Sequence, residues 1–167
     1  MQTTAEITTT FRTTLERAFR TPMLCDITKI HTGHSITPKV THCTEDEHWG
    51  KVGGSRKIFM VKTLAFKGGE SSLDAVLERK ENEYWKIEVS DFKLPSMGFE
   101  RFQGEWFTKE LEEGTIQVRY KYTMFSRSAV LYPFHWLFTK LVWRNYMKNV
   151  MENIRKLTLE EAPYLHE

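Results

Sequence analysis

The tightest constraint on the fold is a series of segments between residues 55 and 126 in which apolar and polar residues alternate between turns. In the last of these turns, Glu112-Glu113-Gly114, glycine suits the left-handed position of a three-residue hairpin loop. Residues opposite each other in an antiparallel pair share a face, so this loop gathers apolar side chains on one side. The predicted pairs on that side are Phe102 with Met124, Gly104 with Tyr122 and Trp106 with Tyr120. The sequence therefore predicts a hairpin with one covered face and one solvated face.

An earlier turn extends the same face upstream. The segment Lys67-Gly68-Gly69-Glu70 has the composition of a two-residue hairpin turn, which would place Met60 opposite Leu77. A three-residue turn within residues 80–83 would then place Leu77 opposite Trp85. Consecutive hairpins that agree on an apolar face predict one antiparallel meander, and its apolar face requires a cover.

The ends of the chain supply helices. Residues 3–10 suit a strand, and apolar residues at helical spacing predict a short helix from Phe11 to Arg20. Thr21-Pro22 is expected to end that helix, and a second short helix is expected to finish near Gly33. From Leu131 to Leu157 there is no glycine, which predicts one long C-terminal helix that covers the sheet. The fold class is therefore α+β.

Composition limits the domain count and the partners. A chain of 167 residues suits a single domain over residues 1–167, and a net charge of +2 spread along the chain does not indicate a nucleic-acid partner. We find no secretory signal and no apolar run of the roughly 20 residues that span a bilayer. Two cysteines, Cys25 and Cys43, are too few for a disulfide framework, so we expect free thiols and a cytoplasmic protein.

The aromatic content, 13% of the residues, is compatible with a large core and also with a roomy apolar pocket. Tyr120 and Tyr122 share the inner face, and their hydroxyls need partners inside the gap between sheet and helix. Arg56 has the same strand parity as Met60, so its guanidinium could hold a carboxylate or phosphate at the cavity mouth. The predicted ligand-binding residues are Arg56, Met60, Leu77, Trp85, Trp106, Tyr120, Tyr122, Leu137, Phe138 and Leu141.

Metal and covalent chemistry find little support in the sequence. His31, His34, His42, Cys43 and His48 lie close together along the chain, but strand parity sends His42 and Cys43 to opposite faces, and no zinc-ligand spacing occurs. We therefore expect no metal and no other cofactor. The sequence also lacks the G-x-S-x-G motif of a nucleophilic serine. If the protein is an enzyme, Tyr120, Tyr122 or His135 is the candidate acid or base.

Four segments carry a resemblance to a known family: Gly53-Gly54-Ser55-Arg56, Gly104-Glu105-Trp106, Gly114-Thr115-Ile116-Gln117-Val118 and Leu131-Tyr132-Pro133-Phe134. Together with the order of elements, they resemble the START and birch-pollen-allergen superfamily, SRPBCC, and within it the polyketide cyclase/dehydrase-type lipid-binding branch. This resemblance covers nearly the whole chain. It implies a helix-grip fold, in which a curved antiparallel sheet wraps around the last helix and leaves an apolar cavity between them.

The resemblance implies a hydrophobic ligand such as a lipid, a sterol or a polyketide. Three functions stay open at this point: binding of that ligand, a polyketide cyclase or aromatase-like activity that uses the tyrosine pair, and a chaperone-activator-like module that contacts proteins through the outer sheet face. Fold analogy does not choose between them.

Overall fold

The computed structural model describes residues 1–64, 66–93 and 97–166. A single antiparallel sheet, with strand order β1-β7-β6-β5-β4-β3-β2, curves around the C-terminal helix. Its strands are β1 (Gln2–Arg12), β2 (Val40–Glu45), β3 (Ser55–Met60), β4 (Gly69–Lys80), β5 (Tyr84–Ser90), β6 (Phe99–Glu112) and β7 (Thr115–Ser126). Two short helices, α1 (Leu15–Leu24) and α2 (Ile27–Ile30), follow β1. This is the predicted α+β helix-grip architecture.

The hairpin of β6 and β7 has the predicted register. Phe102 pairs with Met124, Gly104 with Tyr122, and Trp106 with Tyr120. All of these side chains except glycine's are buried on the inner face, and the polar residues between them lie on the outer face. The tight turn at Gly114, whose φ is 71°, fixes this register.

The predicted register of β3 and β4 is wrong. Met60 pairs with Gly69 instead of Leu77, because β3 ends at Met60 and β4 begins only at Gly69. Between them the Thr63 N–H donates to the Phe66 carbonyl oxygen at 2.8 Å. A one-residue change of parity moves every side chain of a strand to the other face. Leu77 therefore lies on the outer face, and β4 turns Ser72, Asp74 and Val76 inward.

Helix α1 does not end at Thr21-Pro22 as predicted, and Pro22 lies inside it. Proline has no N–H, so the Ala18 carbonyl oxygen loses its helical donor four residues later. The indole N–H of Trp106 replaces that donor, with Nε1 3.2 Å from the Ala18 oxygen. Two further indole N–H groups donate to the same helix: Trp85 to the Phe19 oxygen at 3.4 Å and Trp49 to the Met23 oxygen at 3.0 Å.

The C-terminal helix is long, as predicted, but it contains a π-helical turn. It consists of α3 (Tyr132–Leu137), the π turn (Phe138–Trp143) and α4 (Arg144–Leu159), with no break between them. An α-helix would place residues five apart on faces about 140° apart. The i→i+5 hydrogen bonding of the π turn brings Phe138 and Trp143 to the same face, which is turned toward the sheet.

Candidate functional site

A cavity of about 350 Å³ lies between the concave face of the sheet and the C-terminal helix. Apolar and aromatic side chains from the sheet, from α1 and α2 and from the C-terminal helix form most of its wall. The aromatic contribution comes from β5, β6 and β7 on one side and from the π turn and α4 on the other, for example Trp85, Trp106, Tyr120, Phe138, Trp143 and Tyr146. A concave apolar space of this size is the usual form of a small-molecule site.

Seven of the ten predicted site residues line this cavity: Arg56, Met60, Trp85, Trp106, Tyr120, Tyr122 and Phe138. The structure places the other three elsewhere, so their predicted position was wrong. Leu77 is 38% exposed on the outer sheet face, because the long loop before β4 changes the parity of that strand. Leu137 and Leu141 are 49% and 58% exposed on the outside of the C-terminal helix. The helix is apolar nearly all round at this point, so the sequence pattern could not fix which side faces the sheet.

Arg56 forms a buried charged cluster at the cavity wall. Its Nε lies 3.4 Å from an Asp74 carboxylate oxygen, and a terminal nitrogen lies 3.7 Å from a Glu45 carboxylate oxygen. The guanidinium also stacks over the ring of Trp49, with 3.8 Å between its Cζ and the ring centroid. Arg56 therefore already has two anionic partners and one aromatic partner from its own chain.

Asp74 is a polar cavity residue that was not predicted from the sequence, as are His31 and Tyr146. It lies directly opposite Arg56 in the pairing of β3 and β4 and lines the cavity. Burial raises the pKa of its carboxyl, and the charge and hydrogen bond of Arg56 oppose that shift. A signal was present in the sequence, because an inward-facing arginine requires a buried acid nearby and β4 offers one.

Three tyrosines turn toward the same space. The rings of Tyr120 and Tyr122 meet edge to face with centroids 5.3 Å apart. The hydroxyl of Tyr146, from α4, lies 2.6 Å from Nδ1 of His31. Burial raises the pKa of all three tyrosine hydroxyls, so they stay protonated at neutral pH.

His31 adds an uncharged polar group to the cavity. Burial, and after it the positive charge of Arg56, lowers the pKa of its imidazole to about 3. The ring is therefore neutral at physiological pH, and the hydrogen bond with Tyr146 holds it in place. Together with the tyrosines and the Arg56–Asp74 pair, it forms the polar region of a cavity whose lining is mainly apolar, although Ser72 and other hydroxyl side chains also line it.

Gly104 explains how a bulky aromatic wall still leaves space. A Cβ atom at this position would lie 3.0 Å from the Tyr122 ring and 3.2 Å from Ile87. Glycine therefore lets the Tyr122 ring lie flat against the strand. Any larger residue would push that ring toward the cavity.

His135, a predicted candidate acid or base, has a structural role instead. It is fully buried, and the described residues that line the cavity do not include it. Its Nδ1 lies 2.6 Å from the Ser126 hydroxyl and its Nε2 lies 2.6 Å from the Met97 carbonyl oxygen. Because a carbonyl oxygen only accepts, Nε2 donates to Met97. Both nitrogens are occupied, Nδ1 by the end of β7 and Nε2 by a residue just before β6.

The other histidines and the cysteines are dispersed. His42 lies on the outer face and stacks on Phe59, whereas His31 lines the cavity. Cys25 and Cys43 are free thiols, as predicted. In the described ranges, no group of three or more His, Cys, Asp or Glu side chains is close enough to hold a metal ion.

Comparison with known proteins establishes the fold class. Ara h 8.0201 superposes with a TM-score of 0.70 at 12% identity, over 96% of this chain and 99% of that chain. A point mutant of norcoclaurine synthase from Thalictrum flavum, in complex with a transition-state analogue, gives 0.70 at 8% identity, over 98% of both chains. A protein of unknown function from Staphylococcus aureus gives 0.70 at 14% identity, over 96% of both chains.

These similarities span nearly the entire chain, and the fold is therefore the one that these structures share, the helix-grip fold. No family model and no curated protein matches the sequence. At such low identities the superpositions define the architecture, and the function has to be argued from the site.

Proposed function

We propose that this protein binds a hydrophobic small molecule with one uncharged polar group in the cavity between the sheet and the C-terminal helix. The observation that carries the proposal is the cavity itself, about 350 Å³ lined mainly by apolar and aromatic side chains, with the polar region on its wall. At roughly 25 cal/mol per Å², burying about 250 Å² of apolar ligand surface contributes about 6 kcal/mol before the entropy lost on association.

The polar region favours a neutral head group over an anion. Arg56 is balanced by Asp74 and Glu45, so an anionic ligand would have to compete with a buried carboxylate and be desolvated. A hydroxyl, carbonyl or amide can instead bond to the tyrosine hydroxyls and to His31 without adding charge. We therefore propose that the polar group of the ligand is uncharged, and not the carboxylate or phosphate that the sequence suggested.

Displacement of a neutral fluorescent probe tests both parts of the proposal. N-phenyl-1-naphthylamine should bind the purified protein and be displaced by decanol at lower concentration than by decanoate. Native mass spectrometry of protein from its own host should show a retained small molecule. Stronger displacement by decanoate would exclude the neutral head group, and absence of probe binding would exclude the cavity as a ligand site.

A matched pair of variants locates the probe. Ser72 faces the cavity and Leu73, its neighbour on β4, faces outward. Ser72→Met adds volume inside the cavity and should weaken probe binding at least tenfold, whereas Leu73→Met should leave it unchanged. Equal effects of the two substitutions would place the probe outside the cavity.

Asp74 supports a second candidate, a cyclase-like activity of the polyketide cyclase or aromatase type. A buried carboxyl with a raised pKa, beside Tyr120 and Tyr122, can transfer protons to a bound enolisable chain. The test is cyclisation of a synthetic poly-β-carbonyl thioester. Asp74→Asn and Tyr122→Phe should each lower turnover at least a hundredfold with nearly unchanged ligand affinity, and unaffected turnover would exclude this activity.

A further inference from the structure

The first turns of the C-terminal helix, together with the two residues that precede it, carry an exposed apolar patch. We define the helix patch as the exposed large apolar residues of this segment: Val130 (87%), Leu131 (38%), Phe134 (57%), Trp136 (49%), Leu137 (49%) and Leu141 (58%). Their exposure contrasts with Phe138 and Thr139 on the same helix, which are buried against the sheet. Contiguous exposed apolar side chains of this kind mark an interaction surface.

The fold explains why the patch stays uncovered. The C-terminal helix is apolar on both sides in its first half, but the sheet covers only the side that includes Phe138 and Trp143. Contact with the sheet therefore explains why the inner residues of this segment are apolar. It does not explain why the outer residues are apolar, because they are exposed. A helix that is apolar all round ordinarily needs a second apolar neighbour.

Positive charge surrounds the helix patch. Four exposed cations lie in or beside it, and the sequence between Ser126 and Glu152 contains no acidic residue; the four are Arg127, Lys140, Arg144 and Lys148. None of them forms an ion pair with an acidic residue in the described parts of the chain, although the Lys140 ammonium donates one hydrogen bond to the Thr4 carbonyl oxygen at 2.9 Å. On the outer sheet face, by contrast, Arg119 pairs with Glu6 and Lys121 pairs with Glu105.

The spacing of these residues matches a helix that lies along a membrane surface. Phe134, Leu137 and Leu141 follow one another at three and four residues, and so form one exposed row. Trp136, Lys140 and Arg144 form a second exposed row beside it, at intervals of four. Trp, Phe and Leu beside a cationic row is the composition of helices that bury their apolar side chains in the head-group region of anionic bilayers.

We propose that the helix patch docks this protein on the surface of an anionic phospholipid bilayer. The apolar side chains enter the head-group region, and the four cations contact lipid phosphates. No described helix is long and apolar enough to span a bilayer, so docking is peripheral. The unpaired cations favour an anionic lipid surface over a second copy of this chain, whose own patch would bring like charges together.

Docking at this position would also bring the cavity to the lipid. Phe134 belongs to the helix patch and also lines the cavity, so one wall of the cavity is part of the docking surface. The docking proposal does not depend on ligand binding, because it rests on the outer side of the helix alone.

Vesicle sedimentation of the full chain tests the proposal. The protein should bind vesicles of phosphatidylcholine mixed with phosphatidylglycerol, bind vesicles of phosphatidylcholine alone only weakly, and dissociate as salt is added. Arg144→Glu and Lys148→Glu should each lower binding at least fivefold, which corresponds to the roughly 1 kcal/mol that one cation contributes near such a surface. Leu137→Asp and Leu141→Asp should lower it further.

Two variants of the same chemistry elsewhere on the surface are the controls. Leu111→Asp changes an exposed leucine on β6 and Lys51→Glu reverses an exposed lysine, and both should bind vesicles like the wild type. All patch variants should unfold in urea at the wild-type midpoint, which shows an intact fold without relying on the proposed ligand site. Equal binding to neutral and anionic vesicles, full binding by the patch variants, or a stable dimer in sedimentation equilibrium that Leu141→Asp dissociates would each overturn the proposal.

Discussion

The indole nitrogen of Trp106 donates a hydrogen bond to the carbonyl oxygen of Ala18, which the proline four residues later leaves without a helical donor. Trp106 lies on the inner face of β6 and is fully buried. This one contact lets α1 continue through Pro22 and fixes the helix against the sheet. It therefore connects the wall of the cavity with the helix that closes one of its sides.

Replacing this donor should destabilise the protein in a way that depends on Pro22. Trp106→Phe leaves a buried carbonyl oxygen without a partner, which costs about 1–3 kcal/mol in addition to lost packing. In a Pro22→Ala background, the new N–H of residue 22 can reach the Ala18 oxygen, so the cost of Trp106→Phe should fall by about 1 kcal/mol or more. Urea unfolding of the four proteins measures this coupling.

Trp85 provides the control for that cycle. Its acceptor is the Phe19 carbonyl oxygen, whose helical donor is the N–H of Met23. Pro22 does not remove that donor. Trp85→Phe should therefore cost the same amount with proline or alanine at position 22. Additive effects of Trp106→Phe and Pro22→Ala would show that the indole does not replace the missing donor.

Asp74 should make stability depend on pH. Burial raises the pKa of its carboxyl above the ordinary value of 3.8, so the folded protein binds this proton more tightly than the unfolded chain does. Its stabilising contribution is present below pH 3.8 and is lost as the pH rises through the folded-state pKa. The unfolding free energy of wild type minus that of Asp74→Asn should therefore decrease from acidic to neutral pH. Urea titrations across this range measure it, and a difference that increases with pH would contradict the assignment.

The π turn predicts unequal roles for two neighbouring apolar residues. Phe138 is buried at the cavity wall, so Phe138→Ala should cost about 3–5 kcal/mol of unfolding free energy. Leu141 is exposed, so Leu141→Ala should change it by no more than about 0.5 kcal/mol. Denaturant unfolding compares the two, and a large effect of Leu141→Ala would mean that the helix turns a different side toward the sheet.

Gly104 should control the free space beside Tyr122. The Cβ of Gly104→Ala would meet the tyrosine ring at 3.0 Å and displace it toward the cavity, so we expect weaker binding of N-phenyl-1-naphthylamine and about 1–3 kcal/mol of overpacking cost. Gln103→Ala, the neighbouring substitution on the outer face, should change neither quantity. Fluorescence titration and thermal unfolding provide both readouts, and unaltered probe binding by Gly104→Ala would show that the ring has room to move elsewhere.

The sequence predicted the sheet best where a short turn fixes the register. Gly114 leaves little freedom in the loop between β6 and β7, and every pair predicted there is present. The connection between β3 and β4 has no such restriction. Gly68 and Gly69 are compatible with a two-residue turn and also with a longer loop, so the sequence does not fix the loop length. The predicted parity of β4 was wrong for that reason, which misplaced Leu77 and left Asp74 unrecognised as a cavity residue.

The predictions for helices failed where tertiary contacts override local rules. Pro22 would end an isolated helix, and the indole of Trp106, on a distant strand, allows α1 to continue. The position of the π turn could not be predicted from the sequence either. The turn changes which side of the helix faces the sheet, and both sides are apolar at this point. Leu137 and Leu141 were assigned to the cavity for this reason, whereas Phe138 was placed correctly.

The position of β1 at one edge of the sheet has a consequence for biosynthesis. This strand is made first, yet its sheet neighbour is β7, and every residue of β1 pairs with a partner more than 100 positions further along. The strand therefore stays unpaired during synthesis until more than 100 further residues have emerged from the ribosome. Such long-range pairing slows folding, and a nascent chain that stops before β7 leaves an apolar edge open to aggregation.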